Sequence, residues 1–230
     1  MRKTSIGFWL QLGCPEIARQ VTPMYNWACV DLEHGKDCNL HDMLEAIHHN
    51  CLPVVRVAEN TRRDIAHALD AGAKAIIVPR VNTKEEAEAA VAWAAYPQKG
   101  TRGYGFCRAN EYGRTFSEYK DISKYIQIYL QIEHKDAIHN LEEIEATGCD
   151  GTFIGPYDLS GSYGDSGNFE LPEYKAAIEK YLRVCKKEKG IHIVHPNSIN
   201  VSEAKQLGYN LLALGTDAIA LDTGARSFIQ

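Results

Sequence analysis

Short apolar segments recur along the chain, and each is followed by a stretch whose apolar residues are spaced as on one face of a helix. Nearly continuous apolar character over a few residues is typical of strands that are buried on both faces, as in a parallel sheet. Eight such strands are predicted, at Ile6–Leu12, Trp27–Leu32, Leu52–Val57, Ala75–Val81, Tyr125–Ile132, Gly151–Gly155, Ile191–His195 and Leu211–Gly215. Helices are predicted between and after them, at Leu40–His49, Arg62–Ala71, Thr83–Tyr96, Ala137–Thr147, Pro172–Lys189, Val201–Leu207 and Ala218–Ser227.

Some helix ends are marked by local sequence. Thr83 followed by Glu86 forms a capping box, in which each side chain accepts a hydrogen bond from the backbone of the other residue. Gly72 and Gly190 lie where the pattern predicts that helices end, since glycine readily adopts the left-handed conformation found there.

The alternation of strands and helices predicts a parallel sheet with right-handed crossovers. Eight units within 230 residues favour closure into a (β/α)8 barrel, an α/β fold of one domain over residues 1–230. An open, doubly wound sheet is the alternative, but no G-x-G-x-x-G motif follows the first strand. The longest irregular segment, Thr101–Gly113, is predicted to be a functional loop.

The overall charge limits the partners that the protein can bind. Lys plus Arg total 25 and Asp plus Glu total 30, which gives a net charge of −5. Such a chain has no general attraction for nucleic acid or for an anionic membrane, so an anionic substrate must be bound by a few placed cations or a metal.

Cysteine usage and hydropathy indicate the compartment. The seven cysteines are scattered without a C-x-x-C pair, as expected for reduced thiols in a reducing cytoplasm. The first apolar run contains Trp9 and Gln11 and is interpreted as a strand, not a signal peptide. No apolar run has the length of a membrane span. We therefore expect a cytoplasmic protein.

Polar residues follow the predicted strands at corresponding positions. In a (β/α)8 barrel the loops after the strands meet at one end and carry the active site. A single polar residue at such a position means little, whereas recurrence on successive units indicates a site. The residues are Asp31, Glu33, His34, Arg56, Arg80, Gln131, Glu133, Asp158, His195 and Asp217.

Glu133 and Asp158 end neighbouring strands and could together bind a hard divalent cation, with water and substrate oxygens as the other ligands. Ordinary carboxylates, one in an ion pair and one capping a helix, are an equally supported interpretation.

Arg56 is costly to bury without a partner, which favours a bound anion, although an ion pair with Glu33 would also satisfy it. His34 has the alternative of a histidine that only orients its own loop.

Several motifs occur in an order that matches a known family. They are IGFWLQL, VDLEHG, LPVVRV, LDAGAKAIIVPRV, GTRGYG, QIE, DGTFIGPYDLSGSYG and ALGTDAIAL, and they run over nearly the whole chain. The sequence resembles the HpcH/HpaI aldolases, which are metal-dependent (class II) pyruvate aldolases typified by 4-hydroxy-2-oxoheptanedioate aldolase. The patterns D-x-E-H, Q-x-E and G-P-x-D-L-S are the most specific.

The resemblance implies a role for each matching residue. Glu133 and Asp158 would bind a divalent metal, Mg, Mn or Co. Arg56 would contact the keto oxygen and stabilise the enolate. His34 would act as acid and base near the bond that is cleaved, and Gln131 would contact substrate or metal-bound water.

The resemblance also implies a carboxylate-binding loop and an oligomer. Gly155, Pro156 and Tyr157, with the following aspartate, would offer backbone N–H groups to the carboxylate of pyruvate. Asp70 matches a family carboxylate that pairs with the catalytic histidine across a subunit boundary. The family is typically hexameric, so a homo-oligomer is expected.

Other residues depart from the family pattern or leave alternatives open. Tyr157 occupies a position where many relatives have Ala or Ser, and it could narrow the pocket, stack on an acceptor or point outward. Arg80, together with His195, could bind an acidic acceptor, or it could form a structural ion pair. No predicted strand end places a lysine inside the barrel, which argues against a Schiff-base aldolase. Lys135, which follows Glu133 and His134, is the one lysine that this argument does not exclude.

The sequence thus predicts an aldolase that joins pyruvate to an aldehyde or releases it from a 4-hydroxy-2-oxo acid or a 2-keto-3-deoxy sugar acid. A lyase acting on CoA thioesters, like citrate lyase β-chains or malyl-CoA lyases, is one alternative. A barrel that binds a metabolite without catalysis is another, but the set His34, Arg56, Glu133 and Asp158 argues against it.

Overall fold

Eight parallel strands form a closed barrel in which each strand pairs with the next and the eighth pairs with the first. A computed structural model describes residues 4–49 and 51–229. The strands are β1 (Ser5–Leu10), β2 (Trp27–Asp31), β3 (Leu52–Arg56), β4 (Ala75–Val78), β5 (Gln127–Ile132), β6 (Gly151–Ile154), β7 (Glu188–Ile193) and β8 (Leu211–Thr216).

Helices cover the outside of the barrel. They are α1 (Pro15–Val21), α2 (Leu40–His48), α3 (Arg62–Ala71), α4 (Lys84–Ala94), α5 (Phe116–Ile122), α6 (Lys135–His139), α7 (Leu141–Glu145), α8 (Pro156–Ser162), α9 (Pro172–Val184), α10 (Ser198–Gln206) and α11 (Asp217–Ser227). None of the helices in the described part of the chain is long and apolar enough to cross a membrane.

Side chains alternate between two apolar layers because successive residues of a strand face opposite sides. One layer fills the space between the strands and the helices. The other fills the barrel interior, where large residues such as Trp9, Trp27 and Phe153 pack with small ones such as Ala75 and Ala213. The interior is therefore a packed core that closes the barrel below its open end.

The predicted barrel and its eight strands are confirmed, and so are two of the predicted helix ends. Thr83 and Glu86 form the capping box at the start of α4. Gly72 ends α3 with a φ of 114°, a left-handed conformation that favours glycine.

The predicted boundary between the ninth helix and the seventh strand is wrong. The helix ends at Val184, and Glu188 already belongs to β7. Gly190 is a strand residue and not a helix end, and a Cβ there would overlap the ring of Phe153. The glycine is thus required by the close approach of an interior side chain.

Other elements differ in extent from the prediction. Asn140 divides the predicted helix Ala137–Thr147 into α6 and α7. Three short helices, α1, α5 and α8, were not predicted. Each contains only seven residues, which is too short for helical periodicity to be read from the sequence.

Candidate active site

Asp31 lies at the end of β2, and its buried carboxylate organises the open end of the barrel. Arg56, at the end of β3, donates to it twice, from Nε to Oδ1 at 2.8 Å and from Nη2 to Oδ2 at 2.6 Å. The indole N–H of Trp9 also donates to Oδ2 at 3.1 Å, and the backbone N–H of His34 donates to Oδ1 at 3.2 Å. Burial acts to raise the pKa of Asp31, but the hydrogen bonds and charge of Arg56 hold it below its usual value.

Glu33 joins this ion pair to a second guanidinium. Its Oε2 lies 2.9 Å from Nη1 of Arg56, and its Oε1 lies 3.3 Å from Nε of Arg80. The sequence left open whether Arg56 binds an anion or forms an ion pair with Glu33, and the structure shows the ion pair. Asp31 is a second partner, and its two hydrogen bonds with Arg56 make it the stronger one. Arg56 is only 8% exposed, so both carboxylates fix its guanidinium in one orientation. Contact of Arg56 with a keto oxygen stays a prediction.

Glu133 follows β5 and is 7% exposed. Its Oε1 accepts a hydrogen bond from the backbone N–H of Arg80 at 2.7 Å, and its Oε2 accepts one from the side-chain amide of Gln131. Burial raises the pKa of Glu133 to about 7, with smaller contributions from the charges of Glu33 and Asp158, against the lowering effect of the Arg80 N–H. The carboxylate is thus held in place by neutral donors while its own charge is poorly compensated.

Asp158 lies in the first turn of α8, directly after β6. The polypeptide reaches it through Gly155, where a Cβ would lie 2.8 Å from both Cβ and Oε2 of Glu133. Only glycine allows this approach.

The predicted carboxylate-binding loop has fewer free donors than expected. The backbone N–H of Gly155 already donates to the carbonyl oxygen of Ile132 at 3.2 Å, and Pro156 has no N–H. The backbone N–H groups of Tyr157 and Asp158 remain as donors for a carboxylate, since N–H groups in the first turn of a helix have no partner within that helix.

These residues line two adjoining cavities. One, of about 300 Å³, contains Arg56, Gln131 and Gly155 among its walls. The other, of about 330 Å³, contains Glu33, Arg80 and Glu133. His34 and Asp158 line both cavities and therefore lie at their junction. The structure thus brings together all of the residues to which the family resemblance assigns a role, except Asp70.

The charges at this site do not balance. When all are ionised, Asp31, Glu33, Glu133 and Asp158 contribute four negative charges, and Arg56 and Arg80 contribute two positive ones, which leaves two negative charges. Gln131 is only 4% exposed, and its buried Oε1 has no hydrogen-bond partner among the described residues. A divalent cation between Glu133 and Asp158 fits this excess of charge and of oxygen acceptors.

The protein alone does not provide a full coordination shell. Within the described residues, no three His, Cys, Asp or Glu side chains are arranged to hold a metal ion. Two carboxylates fit a cation such as Mg²⁺, which usually keeps several waters and shares its shell with substrate oxygens. Metal binding by Glu133 and Asp158 therefore stays a prediction that the donor set supports.

Asp70 does not reach the site in the single chain. It lies in the last turn of α3, at the end of the barrel opposite to the site, and accepts a hydrogen bond from Nη2 of the buried Arg102 at 2.6 Å. His34, whose side chain is 57% exposed, lies 3.9 Å from Glu33. A pairing of His34 with Asp70 of another chain stays a prediction.

The residues with open roles are placed as follows. The ring of Tyr157 lies at 5.4 Å from that of Phe169, in an edge-on arrangement, and it borders the 300 Å³ cavity. Arg80 forms the ion pair with Glu33, whereas His195 is exposed in a groove between α9 and α10 on the outside of the barrel. Of the alternatives for Arg80, the structure shows the ion pair, and binding of an acidic acceptor by Arg80 together with His195 stays a prediction.

Sequence reasoning gave no role to Trp9 and did not single out His192. Both have apolar residues beside them in the sequence, so only the direction of their side chains shows that they belong to the site. The guanidinium of Arg56 lies 5.2 Å above the ring of Trp9. The ring of His192 stacks on Trp9 at 4.7 Å. Period-two alternation within β1 and β7 is the signal that could have found them.

Known proteins resemble this chain over nearly its whole length. The model of the HpcH/HpaI aldolase/citrate lyase family matches residues 5–222. A pyruvate aldolase of Rhizobium etli is 35% identical over 98% of this chain and 91% of its own length. A 2-keto-3-deoxy-L-rhamnonate aldolase of Escherichia coli is 33% identical over 94% of this chain and 84% of its own length.

A solved structure shows the same fold over the whole chain. It is a HpcH/HpaI aldolase/citrate lyase family protein from Burkholderia cenocepacia, with a TM-score of 0.93 and 28% identity over 99% of this chain and 94% of that one. The family match covers every residue of the candidate site. The chain belongs to the HpcH/HpaI aldolase/citrate lyase family.

Proposed function

We propose that this protein is a divalent-metal-dependent pyruvate aldolase that acts on 2-keto-3-deoxy sugar acids or related 4-hydroxy-2-oxo acids. The observation that carries the proposal is the arrangement of Glu133, Asp158 and the fixed guanidinium of Arg56 around two adjoining cavities that share Asp158 and His34 in their walls. The relatives named pyruvate aldolase and 2-keto-3-deoxy-L-rhamnonate aldolase support the substrate class.

Cleavage requires a place for negative charge on the keto oxygen. When the bond between C3 and C4 breaks, its electron pair moves into the pyruvate half and forms an enolate. Arg56 is positioned for this charge before the reaction begins, because Asp31 and Glu33 fix its orientation. A fixed positive group of this kind stabilises a developing anion without reorganising during the reaction.

Glu133 and Asp158 would hold the divalent cation, and Gln131 would present its unpartnered Oε1 to water or substrate nearby. When bound, the cation supplies Lewis-acid polarisation of the pyruvate oxygens, worth several kcal/mol of transition-state stabilisation. Gly155 keeps the two carboxylates close by leaving room for the Glu133 side chain.

His34 is placed to exchange protons with the part of the substrate that leaves. It lies at the junction of the two cavities and is exposed to solvent. In cleavage, a base removes the proton of the 4-hydroxyl group, the aldehyde forms, and the enolate then takes up a proton at C3 to give pyruvate. A histidine can accept that proton directly or through one water and return it to solvent.

The carboxylate of pyruvate has donors available at the start of α8. The N–H groups of Tyr157 and Asp158 are the first-turn groups of that helix that lack an internal partner. Binding there would place the keto oxygen toward the side of the cavity that holds Arg56 and Gln131.

The test is pyruvate release from a panel of 2-keto-3-deoxy sugar acids, 4-hydroxy-2-oxo acids and CoA thioesters. We expect activity on the free acids, its loss after EDTA treatment and dialysis, and its return with Mn²⁺, Co²⁺ or Mg²⁺. Glu133→Gln should lose most of the activity, whereas Glu143→Gln, a change of an exposed carboxylate on α7, should not. Full activity of the metal-stripped protein, or cleavage of the CoA thioesters alone, would contradict the proposal.

A further inference from the structure

His192 is a polar residue in a largely apolar part of the active-site cavity. It lies on β7 with its side chain directed into the barrel, where its ring stacks on Trp9 with an interplanar angle of 19°. Its neighbours in the cavity wall include Phe153, Ile154 and Val194. A histidine at this position needs an explanation, because a leucine would fill the same space without a polar atom.

One ring nitrogen is engaged by the backbone. Nε2 lies 3.0 Å from the carbonyl oxygen of Gly215, at the end of β8. A carbonyl oxygen can only accept a hydrogen bond, so Nε2 carries the proton. Gly215 has a φ of 67°, which favours glycine and fixes the direction of this part of the strand.

The ring is neutral under ordinary conditions. The pKa of His192 is lowered to about 4, chiefly by burial and to a smaller extent by the charge of Arg56, against the raising effects of the Gly215 carbonyl and of Asp31. With the proton on Nε2, the other nitrogen, Nδ1, is a hydrogen-bond acceptor and cannot donate. The described residues offer Nδ1 no partner, and the atom is not sealed from solvent.

We propose that His192 determines specificity by accepting, at Nδ1, a hydrogen bond from a hydroxyl group of the bound substrate. This inference rests on the proposed aldolase function and names the substrate more closely. Nδ1 cannot bind a carbonyl or carboxylate oxygen of the substrate, because these oxygens have no proton to donate. The walls of this cavity also include the apolar side chains of Phe153 and Val194, which offer a hydroxyl group no hydrogen-bond partner. The hydroxyl belongs either to the part of the substrate that leaves as the aldehyde, or to C3 of a 2-oxo acid that, unlike the 3-deoxy acids, carries a hydroxyl group there.

The two sources are separated by measuring aldol addition with four substrate pairs and the Mn²⁺-loaded protein. Pyruvate and hydroxypyruvate are each combined with acetaldehyde and glycolaldehyde, and kcat/KM is measured for the wild type and His192→Leu. The loss for the hydroxylated partner should exceed the loss for its unsubstituted analogue by about tenfold, the upper range for one neutral hydrogen bond. A selective loss with hydroxypyruvate assigns the hydroxyl to C3, and one with glycolaldehyde assigns it to the aldehyde.

His67→Leu is the matched control, because His67 is exposed on α3 and lines neither of the two site cavities. It should leave all the substrate ratios as in the wild type. Equal losses for all four pairs in His192→Leu, or no change in either ratio, would overturn the inference. An inactive wild type with every pair would instead contradict the proposed function.

A second measurement requires neither catalysis nor a folded variant. In wild-type protein labelled with ¹⁵N-histidine, the imidazole of His192 should show a protonated Nε2 and a bare Nδ1 between about pH 6 and pH 8, since its pKa lies well below that of free histidine. The resonance is assigned by its loss in His192→Leu, or by its contacts to Trp9 where that variant does not fold. A proton on Nδ1 would overturn the inference.

Discussion

Replacement of Asp31 by asparagine removes the charge on which the arrangement of the site depends. The Asp31 carboxylate accepts two hydrogen bonds from Arg56 and others from Trp9, Gln11 and two backbone N–H groups. An asparagine side chain has one acceptor oxygen, and its amide N–H groups would face donors of Arg56. The variant therefore loses at least one strong bond and leaves part of a buried guanidinium unpaired.

The cost can be judged from this geometry. Removing one partner of a buried ion pair typically costs about 3–5 kcal/mol. Arg56 keeps its contact with Glu33 at 2.9 Å, so the lower end, about 3 kcal/mol, is expected. Asp121→Asn is the control, since Asp121 is 86% exposed and its substitution should change the free energy of unfolding by less than about 0.5 kcal/mol.

The pH dependence provides a second check. The pKa of Asp31 is lower in the folded protein than its usual value of about 3.9. Its contribution to stability is therefore fully present above that pH and is lost as the pH falls through the folded-state pKa. The difference between wild type and Asp31→Asn should shrink below about pH 4.

The assay is urea unfolding of the wild type, Asp31→Asn and Asp121→Asn at equal protein concentration. It is carried out at pH 7 and at steps from pH 5 to pH 3. A difference below about 1 kcal/mol at pH 7 would refute the view that Asp31 holds the site together. A difference that grows as the pH falls would refute the stated sign of the pKa shift.

Three further predictions follow from other parts of the structure. Gly155→Ala should weaken Mn²⁺ binding at least about tenfold in calorimetric titration, because the added Cβ pushes the Glu133 carboxylate aside; unchanged affinity would contradict that steric argument. Gly190→Ala should destabilise the protein by about 1–3 kcal/mol in urea unfolding, since its Cβ overlaps Phe153, and a neutral effect would show that the interior can rearrange. Light scattering should give a mass of several chains for the homo-oligomer that the family resemblance implies, and the mass of one chain would contradict it.

The sequence was sufficient to predict the barrel because all or part of each strand appears as a short apolar run. It was also sufficient to predict that Arg56, Glu133 and Asp158 lie at the open end of the barrel, since each lies at the end of such a run or shortly after it. In a parallel barrel all strands end on one face, so these positions converge whatever the details of the helices. That argument requires the order of the elements and not their exact bounds.

The remaining features depend on contacts that the linear pattern does not contain. Asp31 could be seen at a strand end, but only the structure shows that Trp9 and Arg56 both donate to it. His192 lies inside an apolar run and is recognised only by the direction of its side chain. The charged segment before Gly190 suits a helix by composition, yet pairing with β6 places it in a strand.

Mn²⁺ binding at equilibrium tests the central claim most directly. The quantity is the number of ions bound per chain, measured by electron paramagnetic resonance in the metal-stripped protein during titration. We predict one tightly bound ion in the wild type and in Glu143→Gln, and its loss in both Glu133→Gln and Asp158→Asn. Equal binding by all four proteins would show that these two carboxylates do not share a cation, and it would contradict the account.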